Sequence, residues 1–238
     1  MLLFYYIYAI IIALPLFITS TILCCVSIII CAPIGLGPAC ANYAVKAWSW
    51  FTCYVFLVRV KVEGRENVDK RNSYVFVANH QGAFDIFAIG GFLGHHFRWM
   101  MKKSLRKIFL VGYASDRAGY IFVDRSSPSA IRRTIADAQQ RLRDGASLVV
   151  FPEGTRTPDG TLKPFKRGAY QLALEFKLPL VPITIDGSYK VMSRNSIFPR
   201  PGVIKLTIHK PIPAPENETE RAEVMDITRQ AIASALPQ

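Results

Sequence analysis

Hydrophobic and polar positions fall in two regimes along this chain. From Met1 to Val45 there is no Asp, Glu, Lys, Arg or His, and every charged side chain lies beyond that point. The run Met1 to Cys31 exceeds the about 20 apolar residues that a helix needs to cross a bilayer core. Two prolines and two glycines then punctuate the segment Pro33-Ile34-Gly35-Leu36-Gly37-Pro38, and a second apolar stretch from Ala39 to Val58 is interrupted by Lys46. The pattern predicts a helical hairpin turning at 33–38, with Pro15 able to kink its first helix. Trp48, Trp50, Phe51 and Tyr54 suit a membrane–water interface, and Lys46 can snorkel toward water. A signal peptide would open with a basic segment and a short apolar core, which Met1-Leu2-Leu3-Phe4 does not begin. A hairpin buried in a soluble core is the alternative, and the pattern does not separate a spanning hairpin from one dipping into a single leaflet.

From Arg59 onward the periodicity alternates. Runs rich in branched and aromatic residues at 57–62, Tyr74 to Ala78, Tyr120 to Val123, Ser147 to Phe151, Leu180 to Ile185 and Ile204 to Ile208 read as strands. Several are nearly continuously apolar, as strands covered on both faces are. Between them Ser127 caps a helix with Pro128 at its first position, Gly145 closes it, and Ile131, Ile135, Ala138 and Leu142 give it one apolar stripe. Asn217 and Glu220 have capping-box spacing ahead of a helix running to about Leu236. Further helices fit 83–93 and 168–176. The expectation is an α/β fold, a mostly parallel or mixed sheet flanked by helices, preceded by an N-terminal membrane-associated helical hairpin. Residues 1–58 would form the hairpin and 59–238 the catalytic domain. The stretch Phe97 to Leu110 mixes five cations with large apolar groups. It reads equally as an amphipathic element at a membrane interface or as a solvated helix with a core face.

Charge strengthens the membrane reading. The net charge is +12, from 29 basic and 17 acidic residues among 238, which suits nucleic acid, an anionic surface or a polyanionic substrate. The apolar segment favours the membrane, and the basic groups lie scattered among hydrophobic runs without zinc-finger spacing, so no nucleic-acid partner is expected. All five cysteines, Cys24, Cys25, Cys31, Cys40 and Cys53, fall in the apolar quarter without a CxxC pair. They read as small apolar residues, neither a disulfide framework nor a metal site.

Candidate chemistry gathers at predicted strand ends, where open α/β sheets place their ligands. His80 follows the run ending at Ala78-Asn79, and Asp85 comes five residues later in His80-Gln81-Gly82-Ala83-Phe84-Asp85. A turn across Gly82 would return the carboxylate to the imidazole, fixing one ring nitrogen and leaving the other as a base. By itself such a pair is often structural. The chain has no Gly-x-Ser-x-Gly elbow, no cysteine beyond Cys53 and no His-Glu-x-x-His cluster. A base without a protein nucleophile implies that the substrate brings one, water or an alcohol. Phe151-Pro152-Glu153-Gly154-Thr155-Arg156 and Gly119-Tyr120-Ile121-Phe122-Val123-Asp124-Arg125 also end strands. Arg125 and Arg156 have the guanidinium fork that grips phosphate, with Lys163, Lys166 and Arg167 widening the positive field. Local ion pairs, Asp124 with Arg125 and Glu153 with Arg156, are the plainer reading.

Together these blocks resemble the glycerolipid acyltransferases, specifically the 1-acyl-glycerol-3-phosphate acyltransferases. Four blocks are similar in order: Asn79 to Asp85, with the family's His-x4-Asp pattern; Gly119 to Arg125; Phe151 to Arg156; and Val181-Pro182-Ile183. The link Pro164-Phe165-Lys166-Arg167-Gly168-Ala169 is also familiar, and the resemblance spans roughly 60–210. Gly82 stands where relatives often have serine. The resemblance implies that His80 abstracts the hydroxyl proton of lysophosphatidate while Asp85 orients it, and that the hydroxyl attacks the thioester of acyl-CoA or acyl-carrier protein. It implies an acceptor-phosphate site at Arg125, Glu153, Gly154, Thr155 and Arg156, and an acyl pocket shaped by Val181, Pro182 and Ile183. It implies no metal, no other cofactor, no acyl-enzyme, and membrane lipids as partners. Localisation at a bacterial inner membrane with a cytoplasmic catalytic domain follows from the positive-inside tendency, or the ER membrane in a eukaryote. The rival readings change the acceptor to glycerol-3-phosphate, an amino-acid lipid or another lysolipid, replace the alcohol by water, or dispense with catalysis in a membrane-binding module.

Overall fold

A computed structural model describes residues 2–124, 126–142 and 145–237. The uncharged run is helical, with α1 (Leu2–Tyr8) and α2 (Leu14–Cys31) joined through a π-helical turn at Ala9–Ala13. Pro15 accounts for that turn. It lacks an N–H and its ring crowds the carbonyl four residues back, and a wider turn, in which Leu14 N–H donates to Ala9 O, absorbs both defects without a break. The helix ends at Gly35, whose φ of 76° a side chain would resist, and α3 (Gly37–Val55) opens with a proline in its first turn. Leu2–Ile34 is long and apolar enough to cross a membrane, and it is mostly exposed.

The hairpin lies against the rest of the molecule. Trp48 Nε1 donates to Thr21 Oγ1 at 2.9 Å, joining α3 to α2. Trp48 therefore faces inward, whereas Trp50, Phe51 and Tyr54 are exposed. At the hairpin turn, a Cβ on Gly37 would sit 2.5 Å from Arg117 O, so only glycine permits that approach.

The remainder runs β1 (Val58–Glu63), β2 (Val75–Ala78), α4 (Asp85–Phe92), β3 (Phe97–Lys102), α5 (Val111–Arg117), β4 (Ile121–Val123), α6 (Pro128–Arg141), β5 (Ser147–Val150), α7 (Gly168–Phe176), β6 (Leu180–Asp186), α8 (Ser188–Met192), β7 (Gly202–Ile208) and α9 (Glu218–Ser234). The strands form one seven-stranded sheet in the order β1-β7-β6-β2-β5-β3-β4. It is a mixed sheet, with β6 and β7 antiparallel and the other neighbours parallel. Central β2 and β5 are buried throughout, which explains their unbroken apolar sequence, while β7 alternates. Tyr74, Phe76 and Ala78 join the core shared with the hairpin, α4 and α5; Val75 and Val77 join the opposite core with α7 and α9.

The predicted caps are present. Ser127 accepts from Ala130 N, and Asn217 from Thr219 N and Glu220 N. Phe97 to Leu110 departs from expectation. It is not a helix but a strand, β3, followed by a short 3-10 turn at Lys103–Lys107. Arg98 within it is 2% exposed and donates to His96 Nε2, two residues back, at 2.8 Å, so a neighbouring imidazole helps a cation occupy a buried strand.

Candidate functional site

The loops after β2 and β5, neighbours in the sheet, meet beyond the strands' carboxyl ends. Asn79 starts the first loop by imitating a strand residue: its side chain donates to Ile185 O at 2.8 Å and accepts from Ile185 N at 2.7 Å. This doubly bonded asparagine, which sequence reasoning quoted but gave no role, fixes where β2 ends. His80 N then donates to Glu153 Oε1 at 2.7 Å, and Thr157 N donates to His80 O at 2.9 Å. The loops are thus closed on both sides of one histidine.

The ring is held as firmly. His80 Nδ1 lies 2.7 Å from Asp85 Oδ2, which also accepts from Gln81 N at 2.7 Å and Gly82 N at 2.9 Å. An oxygen that takes backbone N–H groups acts as an acceptor, so Nδ1 carries its proton toward Asp85 and Nε2 is the remaining basic nitrogen. Asp85 is fully buried in the first turn of α4, where the helix dipole favours a carboxylate. The His80 ring stacks on Phe151 with centroids 4.0 Å apart and planes at 12°. Gly82 is under more constraint than its place in the loop implies. A Cβ there would lie 2.5 Å from Ser188 O and 2.6 Å from Met192 O, both backbone atoms, so a side chain does not fit this backbone.

His80 opens on a cavity of about 760 Å³. One wall is apolar and comes largely from the hairpin and α5: Cys24, Cys25, Ile28, Trp48, Val111 and Ala114. The polar part of the lining comes from Lys102, Lys103, Ser104, Asp124, Gly154, Thr155 and Lys166. Lys103 Nζ is 2.7 Å from Asp124 Oδ2, and this ammonium, with Ser126, holds the Asp124 carboxyl well below its usual range. The lining thus brings one base together with apolar surface and cationic groups.

Several expected roles change. Glu153 does not pair with Arg156 or face the cavity: it is 3% exposed and spends its oxygens on His80 N and, at 3.2 Å, Lys163 N. Burial raises its carboxyl above the ordinary value, with the two N–H donors opposing the rise. It is a strut between loops, and a buried carboxylate would in any case repel phosphate. Gly154, Thr155 and Lys166 do line the cavity. Lys163 Nζ donates to Thr155 Oγ1 at 2.8 Å and is not itself part of the lining. Arg156 is half-buried and Arg167 exposed, and neither belongs to the cavity wall. Arg125 lies outside the described residues. Val181, Pro182 and Ile183 are not among the residues that line the cavity: they sit buried within β6, because that central strand is covered on both faces. Lys102 and Lys103 were missed as lining residues, although the cation-rich run at 97–110 was their signal.

A family model described as Acyltransferase matches residues 59–186. The chain is 32% identical over 173 residues to the chloroplastic 1-acyl-sn-glycerol-3-phosphate acyltransferase BAT2 of Brassica napus, covering 72% of this chain and 50% of that one. It is 33% identical over 173 residues to the chloroplastic 1-acyl-sn-glycerol-3-phosphate acyltransferase LPAT1 of Arabidopsis thaliana, covering 72% and 48%. The chain thus matches about half the length of these relatives. The crystal structure of the 1-acyl-sn-glycerophosphate (LPA) acyltransferase PlsC from Thermotoga maritima is similar with a TM-score of 0.71 and 28% identity, covering 83% of this chain and 80% of that one.

Proposed function

This chain belongs to the acyltransferase family, and from that premise we propose that it transfers a fatty acyl group from acyl-CoA or acyl-carrier protein to the free sn-2 hydroxyl of lysophosphatidate, giving phosphatidate. The observation that carries the reading is the His80–Asp85 contact of 2.7 Å beside a cavity lined by apolar side chains together with cationic ones. Such a cavity matches the two halves of a lipid phosphate, and its size falls within the about 300–1,000 Å³ usual for ligand sites. The names of the relatives supply the acceptor.

His80 Nε2 takes the proton of the acceptor hydroxyl as the oxygen attacks the thioester carbonyl. The tetrahedral adduct collapses, the C–S bond breaks, and the imidazolium returns its proton to the leaving thiolate. Asp85 stabilises the charge that develops on the ring and keeps Nε2 facing the cavity. The thioester is already reactive, so no metal or further cofactor is required. Alignment of two bound reactants contributes about 7–11 kcal/mol in well-oriented systems. The acyl chain lies along Cys24, Cys25, Ile28 and Trp48, and the phosphate at the rim of Lys103, Thr155 and Lys166. Arg156, which is not part of the cavity wall, adds to the same positive field. The hairpin holds the site at a membrane.

The test is acyl transfer by the purified chain from labelled acyl-CoA and acyl-carrier protein to lysophosphatidate, glycerol-3-phosphate, lysophosphatidylcholine and an uncharged monoacylglycerol. Lysophosphatidate is expected to be preferred. Preference for the uncharged acceptor, or thioester loss that ignores every acceptor, would contradict the proposal.

A further inference from the structure

The loop between β3 and α5 carries a feature that the chemistry above does not use. Phe109 is 92% exposed, and Ile108 and Tyr113 beside it are exposed as well. The backbone is shaped to put the ring there. Leu110 has φ 63° and ψ −53°, and Val111 N donates to Phe109 O at 2.7 Å, closing a γ-turn of the rare, strained positive-φ kind. A Cβ on Gly112 would lie 2.2 Å from Arg106 O, so the chain folds hard back on α5 and leaves the tip outside. Strained backbone held in place by its surroundings is a mark of a working surface.

Cations surround the tip. Lys102, Lys107 and Arg117 are exposed, and the Arg117 guanidinium stands over the Tyr113 ring at 4.9 Å. Asp116 is the sole acid between Phe97 and Arg117, and it is taken up by Arg106 and Arg141. The tip also continues an apolar surface. Ile108 and Val111 share the cavity wall with Cys24, Cys25 and Ile28 of α2, and the hairpin turn rests on Arg117 O. Apolar side chains interleaved with cations, adjoining an uncharged hairpin, complement one partner: the surface of a bilayer leaflet rich in anionic lipid.

We propose that the Phe109 loop is a second membrane contact, which inserts Phe109 and Tyr113 at the headgroup boundary and sets Lys107 and Arg117 on lipid phosphates. It seats the cavity mouth, lined here by Lys103, Ser104 and Leu105, directly on the leaflet from which a lipid acceptor would enter. The proposal rests on the hairpin being membrane-associated, and the experiment separates the two.

The full chain, as parent and as Phe109→Trp, is reconstituted into vesicles of brominated phosphatidylcholine with and without phosphatidylglycerol. Quenching of the parent's own tryptophans, Trp50 being exposed on α3, reports the hairpin. The additional emission of Phe109→Trp is expected to be quenched more strongly with phosphatidylglycerol present, and Lys107→Glu with Arg117→Glu is expected to abolish that increment. A quenched parent with an unquenched increment overturns the second contact and leaves the anchor standing; no quenching in either overturns both. Phe109→Asp should slow acyl transfer to vesicle-borne lysophosphatidate about tenfold while leaving transfer to a short-chain, monomeric acceptor unchanged. Equal losses on both acceptors overturn the proposal.

Discussion

The two sides of the cavity mouth are built by different means. On one side, the loop from Asn79 to Asp85 is tied by Glu153 and Thr157 of the loop after β5, Ile185 of β6 and Met192 of α8. On the other side, the cations of the rim stand on long exposed side chains: Lys103 is 62% exposed and is tethered to Asp124. A group that takes a proton must be held within about 0.5 Å of its productive geometry. A charge that attracts phosphate acts over a longer range and tolerates motion. The buried hydrogen bonds concentrate around His80, while the rim lysines reach solvent on long side chains.

Substitutions can break this contrast. The largest effect is expected at Asp85, where Asp85→Ala removes the acceptor for His80 Nδ1, Gln81 N and Gly82 N together. The turnover rate should fall by about 10²-fold or more, and stability by about 1–3 kcal/mol for each buried donor left unsatisfied, read by steady-state kinetics and thermal unfolding. Glu153→Ala should come next, because it orphans His80 N and Lys163 N without touching the substrate. A loss of stability of about 1–3 kcal/mol would accompany a lower turnover rate with little change in KM. Glu153 also gives a pH signature. Its folded value is raised by burial, so the folded state holds this proton more tightly than the unfolded state does. The stability linked to it is present below the ordinary carboxylate range and is lost as pH rises through the raised value. Glu153→Gln should flatten that part of a plot of melting temperature against pH.

Gly82→Ala drives a Cβ into two backbone carbonyls, and overpacking of this kind costs about 1–3 kcal/mol. Thermal unfolding of the variant, together with its turnover rate, checks whether the α8 contact supports the loop. The smallest effects belong to the rim. Lys103→Met and Lys166→Met should each raise the KM for a phosphate-bearing acceptor a few fold, and less so in high salt, since exposed charges are screened within about 10 Å at 0.1 M ionic strength. A rim lysine that mattered as much as Asp85, with no dependence on salt, would erase the distinction between the two sides.

Local sequence carried much of this architecture. The hairpin turn was legible from two prolines and two glycines, the central strands from runs apolar on both faces, and two helix starts from their caps. The His80–Asp85 contact was legible because both partners lie across one helix start, five residues apart. What escaped depended on partners distant in the chain. β3 hid because the buried Arg98 side chain packs against Gly119, from the turn before β4, which no local periodicity reveals. Glu153 was read against Arg156, three positions away, although a backbone N–H from another loop lies at 2.7 Å. The apolar wall was sought at Val181 to Ile183, yet it comes from α2, α3 and α5, which pack on the sheet's other side from α7 and α9.

The central claim is that His80, held by Asp85, deprotonates a lipid alcohol. Single-turnover acyl transfer by His80→Ala, with lysophosphatidate and thioester both saturating and lysophosphatidate binding measured in parallel, tests it most directly. The account predicts binding close to that of the parent and a transfer rate lower by about 10²-fold or more. Transfer at the parental rate would contradict it.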